Sequence, residues 1–141
     1  MDAMMKARNL LDSGNYTCVV CKEATLYTTT QRGVAPLLNW LDSGTDLSGF
    51  SAADRVVGRG AAFLYCLLGV KEVHAKVMSK PALEVLQAYG IRAGADVFVE
   101  GIRNRTDTGP CPFEAAVMDI QDAPSALTAI RHKRSQLQKG T

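Results

Sequence analysis

Hydrophobic and polar positions along the 141-residue chain divide it into short helices and strands. Residues 3–11 have helical composition and are followed by a cluster of turn formers over 12–15, where we expect the first helix to end. Residues 16–30 are rich in Thr, Val and Tyr, which predicts two short strands joined as a hairpin that turns at 22–24. Hydrophobic residues at helical spacing predict a second helix over 34–41.

The middle of the chain predicts one buried helix followed by a strand. Residues 51–54 read Ser-Ala-Ala-Asp, which has the form of a capping box, so we expect a helix from this point to about Leu68, with Gly69 as its end. From Ala61 onward this segment is apolar nearly all round, which indicates a central helix buried on several sides. Hydrophobic and polar residues alternate over 70–78, and this pattern is typical of a strand.

The last third of the chain predicts further alternation of helices and strands. Ser79 fits a helix N-cap, and Pro81 fits the first turn behind it. We expect a helix over 79–90, a strand over 96–102, a loop over 106–110, and helices over 112–120 and 125–137. Helices alternating with strands predict a three-layer α/β/α fold, a sheet flanked by helices on both faces, formed as one domain over residues 1–141.

Composition and charge exclude several classes of protein. The 16 Lys and Arg against 14 Asp and Glu give a net charge of +2, too weak by itself to indicate a nucleic-acid partner. The longest apolar stretch, residues 60–70, is about half of the ~20 residues needed to cross a membrane, so we expect no membrane partner. Nothing at the start resembles an export signal, and we interpret the four cysteines as reduced thiols in the cytoplasm.

The strongest local signal for chemistry lies at residues 106–114, which read Thr-Asp-Thr-Gly-Pro-Cys-Pro-Phe-Glu. This order places a thiol, Cys111, and a carboxylate, Glu114, in the first turn of a predicted helix. Free N–H groups there favour negative charge, so the site could hold an anion or a metal. The alternative is a helix cap in which Glu114 accepts backbone N–H bonds and Cys111 is buried.

Two further groups of residues could contact a ligand. Gly58 and Gly60 would each cost roughly 1 kcal/mol within a helix, so they indicate a close approach by a ligand or by another segment. Four arginines, at 55, 59, 103 and 105, could clamp a phosphate or carboxylate, since Arg55 and Arg59 would share a helical face and Arg103 and Arg105 an extended one. The alternative for the glycines is tight helix-to-sheet packing, and the alternative for the arginines is that they are simply solvated.

Other histidines and cysteines give weaker signals. Cys18 and Cys21 have the spacing of a zinc or redox motif, but on a strand residues three apart point to opposite faces, so their sulfurs would diverge. His74 and His132 have no obvious nucleophile or ligand nearby in the sequence.

Residues 54–62, 79–86 and 104–114 resemble a bacterial domain-of-unknown-function family that is placed in the cytidine deaminase-like fold. The resemblance extends from about residue 17 to 129, and it implies a mixed sheet flanked by helices. Zinc deaminases hold their metal with a His or Cys and two further cysteines, and a nearby glutamate transfers protons. The resemblance places Asp54 at the first ligand and Val56 at the catalytic glutamate. Cys111 and Glu114 then stand at the two cysteines, of which Glu114 replaces the second.

The loss of the catalytic glutamate leaves three hypotheses open. In the preferred one, the former active-site cleft binds a nucleotide-like or phosphate-bearing small molecule; its ligand-binding residues would be Asp54, Arg55, Gly58, Arg59, Asn104, Arg105, Cys111 and Glu114. The alternative is a metal-dependent deaminase or hydrolase with an unusual Asp54, Cys111 and Glu114 site, although this mixed donor set disfavours zinc. The third is a structural protein that forms a homo-oligomer.

Overall fold

The protein is described by a computed structural model that covers residues 2–104 and 106–139. The described residues form, in chain order, α1 (Ala3–Ser13), β1 (Cys18–Lys22), β2 (Thr25–Thr29), α2 (Ala35–Asp42), β3 (Ser51–Val57), α3 (Arg59–Leu68), β4 (Glu72–Ser79), α4 (Lys80–Ala88), β5 (Arg92–Val99), α5 (Pro112–Ala116) and α6 (Ala123–Lys139). None of these helices combines the length and the apolar character needed to cross a membrane.

The five strands form one mixed sheet in the order β2-β1-β3-β4-β5. Strand β1 is antiparallel to both β2 and β3, whereas β3, β4 and β5 run parallel. Parallel neighbours need crossover connections, which here are α3 between β3 and β4 and α4 between β4 and β5. The carboxyl ends of these three strands therefore lie at one edge of the sheet.

Helices cover both faces of the sheet, as the predicted three-layer α/β/α fold requires. Alternate residues of β1 and β3 belong to two separate hydrophobic clusters. Val19 and Ala53 pack with α1 on one face, whereas Val20 and Ala52 belong to the main core beneath α3 and α4 on the other. Helices α2, α5 and α6 pack against α3 and extend that second layer.

The predicted hairpin is confirmed. Its strands pair with Lys22 opposite Thr25, and the turn between them places Glu23 at a φ of +55°. Cys18 and Cys21 lie in different hydrophobic clusters, so their sulfurs diverge as expected from their spacing on a strand. The described cysteines are all free.

The predicted helix start at residues 51–54 is wrong, because this segment is strand β3. It pairs with β1 on one side and β4 on the other, so its backbone groups are satisfied by two ladders. A central strand is buried on both faces and loses the alternation that identifies a half-buried strand. The Ser51 hydroxyl donates to the Glu72 carboxylate at 2.5 Å instead of capping a helix. Helix α3 begins only at Arg59.

The rest of the central helix is as predicted. Phe63, Leu64 and Tyr65 have no exposed surface, and Gly69 ends the helix in the left-handed region at a φ of +83°. In α4, the Ser79 hydroxyl accepts from the Ala82 N–H, which confirms the predicted N-cap.

Strand β5 and the last two helices differ from the prediction in their bounds. Strand β5 begins at Arg92 and not at 96, because its parallel pairing with β4 already starts there. The helix expected over 112–120 is the short α5, and the last helix, α6, begins at Ala123. Within the predicted loop, Pro110 forms an isolated bridge with Arg103.

Candidate functional site

A cavity of about 800 Å³, hereafter the cleft, lies at the carboxyl end of β3. Its wall includes residues from β1, from the loop before α2, from the first turn of α3, from 102–104 and from α5. In α/β folds, ligands bind outside the carboxyl ends of the strands, so this is the expected place for a site. A second cavity of about 440 Å³ lies at the opposite end of β4 and β5, and its wall contains none of the predicted site residues that the structure describes.

Asp54 lies in the wall of the cleft on the central strand. Its Oδ2 accepts a hydrogen bond from the Tyr65 hydroxyl at 2.6 Å, and the Cys18 Sγ lies 3.1 Å from the same hydroxyl oxygen. Because Tyr65 gives its proton to the ionised carboxylate, the Cys18 thiol must donate to Tyr65. Cys18 and Asp54 both line the cleft, and the fully buried Tyr65 hydroxyl joins them behind its wall.

The pKa values of these three groups are all raised by burial. Burial raises the pKa of Asp54 to about 6, against the hydrogen bonds from Tyr65 and from the backbone of Val56 and Arg55 and the charge of Arg55, all of which lower it. Burial also raises the pKa of the Cys18 thiol and of the Tyr65 phenol well above their usual ranges. At neutral pH the thiol and the phenol are therefore protonated, while Asp54 is largely ionised and can still change its charge.

Glu114 is buried, and protein groups occupy both oxygens of its carboxylate. Its Oε2 accepts from the Arg59 N–H at 2.7 Å and from the Ser79 hydroxyl, and its Oε1 accepts from the Ile102 N–H at 2.6 Å. Glu114 thus caps α3 and fixes the segment after β5. The capping hypothesis expected it to accept backbone N–H bonds, but these come from other segments and not from its own helix.

Gly58 and Gly60 make room for this arrangement. A Cβ atom at Gly58 would lie 3.1 Å from both Glu114 Oε2 and Ile102 Cγ1, and one at Gly60 would lie 3.2 Å from the carbonyl oxygen of Phe113. Only Gly60 lies within the helix, since Gly58 is the N-cap of α3. Both glycines line the cleft, and the close approach that the sequence indicates is made by α5 and residue 102.

Arg55 and Arg59 do not form the predicted clamp. Arg55 is on β3, not on a helix, and it points to the α1 face because neighbouring residues on a strand alternate. Its guanidinium donates to three carbonyl oxygens: Tyr16 at 2.7 Å, Leu11 at 3.0 Å and Gly14 at 3.2 Å. It therefore joins the end of α1 to the sheet.

Arg59 is only 5% exposed and also bonds to the chain itself. Its guanidinium donates to the carbonyl oxygens of Ile120 at 2.6 Å, Val117 at 3.0 Å and Pro81 at 3.3 Å, and it lies 5.2 Å from the ring centre of Phe63. A guanidinium used in this way holds α5 and the following loop against α3 and α4.

Residues 102–104 form one rim of the cleft. Arg103 donates to the Asp107 carboxylate at 2.8 Å, and the Asn104 Oδ1 accepts from the Thr108 N–H at 2.9 Å. Both Arg103 and Asn104 line the cleft. Arg105, the other predicted member of this rim, lies outside the described residues.

The donor set Asp54, Cys111 and Glu114 does not form a metal site. Cys111 is partly buried as the N-cap of α5, and its side chain makes no capping bond. The oxygens of Glu114 accept from three donors, and Asp54 accepts from Tyr65. Over residues 2–104 and 106–139, no group of three or more His, Cys, Asp and Glu side chains could hold a metal ion.

Two residues of the site, Tyr65 and Arg32, were missed from the sequence, and Cys18 was considered only as part of a zinc or redox motif. Arg32 is exposed, lines the cleft and precedes α2. Tyr65 had a usable signal, because a hydroxyl on an otherwise apolar buried helix needs a polar partner. Its partner, Asp54, was instead placed on that same helix by the wrong assignment of 51–57.

The family model for the domain of unknown function DUF1893 matches residues 6–133. The chain belongs to the DUF1893 family. The crystal structure of a DUF1893 family protein, TM1506, from Thermotoga maritima is similar over 95% of this chain and 89% of that protein, with 23% identity and a TM-score of 0.83. This likeness agrees with the fold described above.

The structure of a deaminase is less similar to this DUF1893 member. The apo crystal structure of the dCMP deaminase from cyanophage S-TIM5 covers 66% of this chain and 93% of that protein, with 15% identity and a TM-score of 0.43. No curated protein matches the sequence.

Proposed function

We propose that this DUF1893 member binds a small, phosphate-bearing, nucleotide-like molecule in the cleft. The observation that carries this proposal is the cleft itself, whose wall combines apolar side chains with Asp54 and with the arginines 32 and 103. Its volume of about 800 Å³ lies within the roughly 300–1,000 Å³ typical of small-molecule sites. Such sites bury a ligand between apolar walls and orient it with a few polar groups.

The phosphate end of the ligand is assigned to the rim at Arg32 and Arg103. Arginine gives two parallel hydrogen bonds to a phosphate, and both side chains are exposed enough to move onto a ligand. The N-terminus of α3 is the competing place, since Gly60 and Ala61 also line the cleft. The Glu114 carboxylate already accepts from the first N–H of α3, and its negative charge would repel a phosphate there.

The proposal includes the location of the protein in the cell. Its described cysteines are free, which supports a cytoplasmic location. The alternative of a metal-dependent hydrolase has no observation in its favour among the described residues.

Native mass spectrometry of the protein purified without chelator tests the proposal first. We expect a retained small molecule that is lost on denaturation, and the same spectrum gives the number of subunits. Thermal shift with the four common nucleoside 5′-monophosphates follows. Arg32→Ala and Arg103→Ala should each weaken the binding of the best monophosphate by about tenfold, in line with the loss of one charge-assisted pair.

Arg92→Ala is the matched control, since Arg92 is an exposed arginine that lines the other cavity. It should leave binding unchanged. The proposal is wrong if no monophosphate binds at millimolar concentration and no small molecule is retained. A metal bound at one per chain would support the hydrolase alternative instead.

A further inference from the structure

The cleft contains one carboxylate that still has hydrogen-bonding capacity, and this feature indicates which end of a ligand enters first. Of the two acidic residues in the described wall, Glu114 already accepts three hydrogen bonds from the protein. Asp54 accepts one short bond, from the Tyr65 hydroxyl, and weaker contacts from the backbone N–H groups of Val56, at 3.4 Å, and Arg55. An ionised carboxylate offers about four acceptor positions, so Asp54 has capacity left for a ligand.

A buried hydroxyl and the central strand hold the Asp54 carboxylate in position. Tyr65 is fully buried on α3; its hydroxyl proton bonds to Asp54, and its oxygen bonds to the Cys18 thiol. Asp54 also lies on the central strand, with Cys18 of β1 opposite it on one side and Ala75 of β4 on the other. A group held by a rigid strand and a buried hydroxyl is preorganised, which lowers the entropy cost of binding a ligand.

The charges around the cleft favour an uncharged donor over a cation. The described wall contains three arginines, at 32, 55 and 103, and the two carboxylates of Asp54 and Glu114, and Arg103 is paired with Asp107. The positive charge of Arg55 acts directly on Asp54, where it lowers the pKa of that carboxyl. A cationic ligand at Asp54 would meet the positive charge of Arg55, whereas a neutral N–H donor would not.

We infer that Asp54 determines the specificity of the cleft by accepting hydrogen bonds from the N–H donor edge of an uncharged nitrogen heterocycle. This inference rests on the proposed function, and it adds the orientation of the ligand: the ring enters toward Asp54, and the phosphate stays at Arg32 and Arg103. A buried acceptor strongly rejects a ligand that lacks the matching donor, because the acceptor is then left without a partner. Tyr65 is a positioning residue, since it acts through Asp54.

Isothermal titration with matched ligands tests the inference. The probes are guanosine 5′-monophosphate, whose ring carries adjacent N–H and NH2 donors, its N1-methyl analogue, in which the ring donor is blocked, and ribose 5-phosphate, which has no ring. In the wild-type protein we expect the methylated analogue to bind at least tenfold more weakly than its parent, and ribose 5-phosphate to bind more weakly still.

The variant Asp54→Asn keeps the size of the side chain and removes its charge. It should weaken the binding of the parent nucleotide about tenfold and make the protein bind the parent and the methylated analogue with nearly equal affinity. Tyr65→Phe should produce a smaller loss, about threefold, with the preference for the parent retained. A purely structural role for Asp54 would instead weaken both nucleotides by the same factor.

The outcomes separate the two proposals. If the wild-type protein binds both nucleotides equally, or Asp54→Asn keeps the preference for the parent, the inference about Asp54 is overturned while the cleft remains a nucleotide site. If none of the three probes binds and native mass spectrometry finds no retained molecule, the proposed function fails as well. Thermal melts of each variant establish that the changes in affinity do not come from unfolding.

Discussion

Asp54 and Glu114 are two carboxylates in the wall of the same cleft, and they are used in opposite ways. Glu114 accepts three hydrogen bonds from the start of α3, the end of β4 and residue 102, whereas Asp54 accepts one short bond from Tyr65. The resemblance to zinc deaminases treats both as replaced metal ligands. Their surroundings show instead that Glu114 joins three segments of the fold, and that Asp54 keeps unused acceptor capacity.

The difference shows that the position of an acidic residue in a cleft does not reveal its role until the hydrogen bonds that its carboxylate accepts are counted. A carboxylate whose oxygens are all used contributes to stability, and its loss leaves buried donors without partners. A carboxylate that is partly desolvated and has capacity left costs stability and is available for binding. The expected effects of four substitutions follow from this contrast.

The largest effect is expected for Glu114→Ala. It leaves the N–H groups of Arg59 and Ile102 and the Ser79 hydroxyl without their acceptor, so the free energy of unfolding should fall by roughly 3–5 kcal/mol. Urea denaturation followed by circular dichroism measures this fall in the free energy of unfolding. Asp119→Ala removes an exposed carboxylate five residues later and is the control. A loss as small as that of the control would show that Glu114 is not structural.

Asp54→Asn should have a smaller effect that depends on pH. Because the folded protein holds the pKa of Asp54 at about 6, above the ordinary 3.8, wild-type stability is lost as the pH rises through this range. The asparagine variant avoids that loss. Its stability relative to wild type should rise by about 1–2 kcal/mol from pH 4 to pH 8, a value discounted for the partial exposure of the carboxyl.

Denaturation curves of both proteins at several pH values between 4 and 8 check this expectation. A difference that stays constant over the whole range would mean that Asp54 ionises at an ordinary pKa. A difference that falls with pH would mean that the ionised carboxylate stabilises the fold, as Glu114 does.

Gly58→Ala is expected to cost about 1 kcal/mol. The new Cβ would lie 3.1 Å from Oε2 of the Glu114 carboxylate, which three hydrogen bonds to its two oxygens hold in place. Strain at this contact outweighs the gain from restricting the unfolded chain. Gly109→Ala is the matched control, since nothing lies within 4 Å of its Cβ position. If Gly58→Ala is as stable as wild type in thermal melts, Glu114 is less firmly held than the structure indicates.

The smallest effect is expected for Cys111→Ser. The thiol side chain makes no capping bond and is only partly buried, so stability should change by less than about 0.5 kcal/mol. Thermal melts measure the change. A loss near that of Glu114→Ala would mean that Cys111 takes part in the polar network of Glu114.

Much of the fold could be predicted from the sequence where the signals are local. The hairpin turn, the Ser79 cap and the Gly69 stop depend on residues within a few positions of one another, and the structure confirms all three. The strand over 51–57 could not be found in this way, because it is buried on both faces and has no alternation. Because this strand was predicted as helix, Asp54 and Arg55 were placed on a helix that in the structure begins only at Arg59.

The candidate site was predicted less well, since its contacts join residues that are far apart in the chain. Glu114 bonds to Arg59 across 55 positions, and Arg55 bonds to Leu11 across 44. Sequence patterns identified these residues as chemically capable. They did not show that the chain itself would occupy Arg55, Arg59 and Glu114 and leave Asp54 with capacity for a ligand.

The reach of the Glu114 carboxylate also has a consequence for hydrogen exchange. The amides of Arg59 and Ile102 bond to the same side chain, although they belong to different parts of the fold. Opening of the segment around 100–114 therefore frees both amide protons in one event. Their deuterium uptake in the native protein should follow a common rate, and Glu114→Gln should accelerate both together.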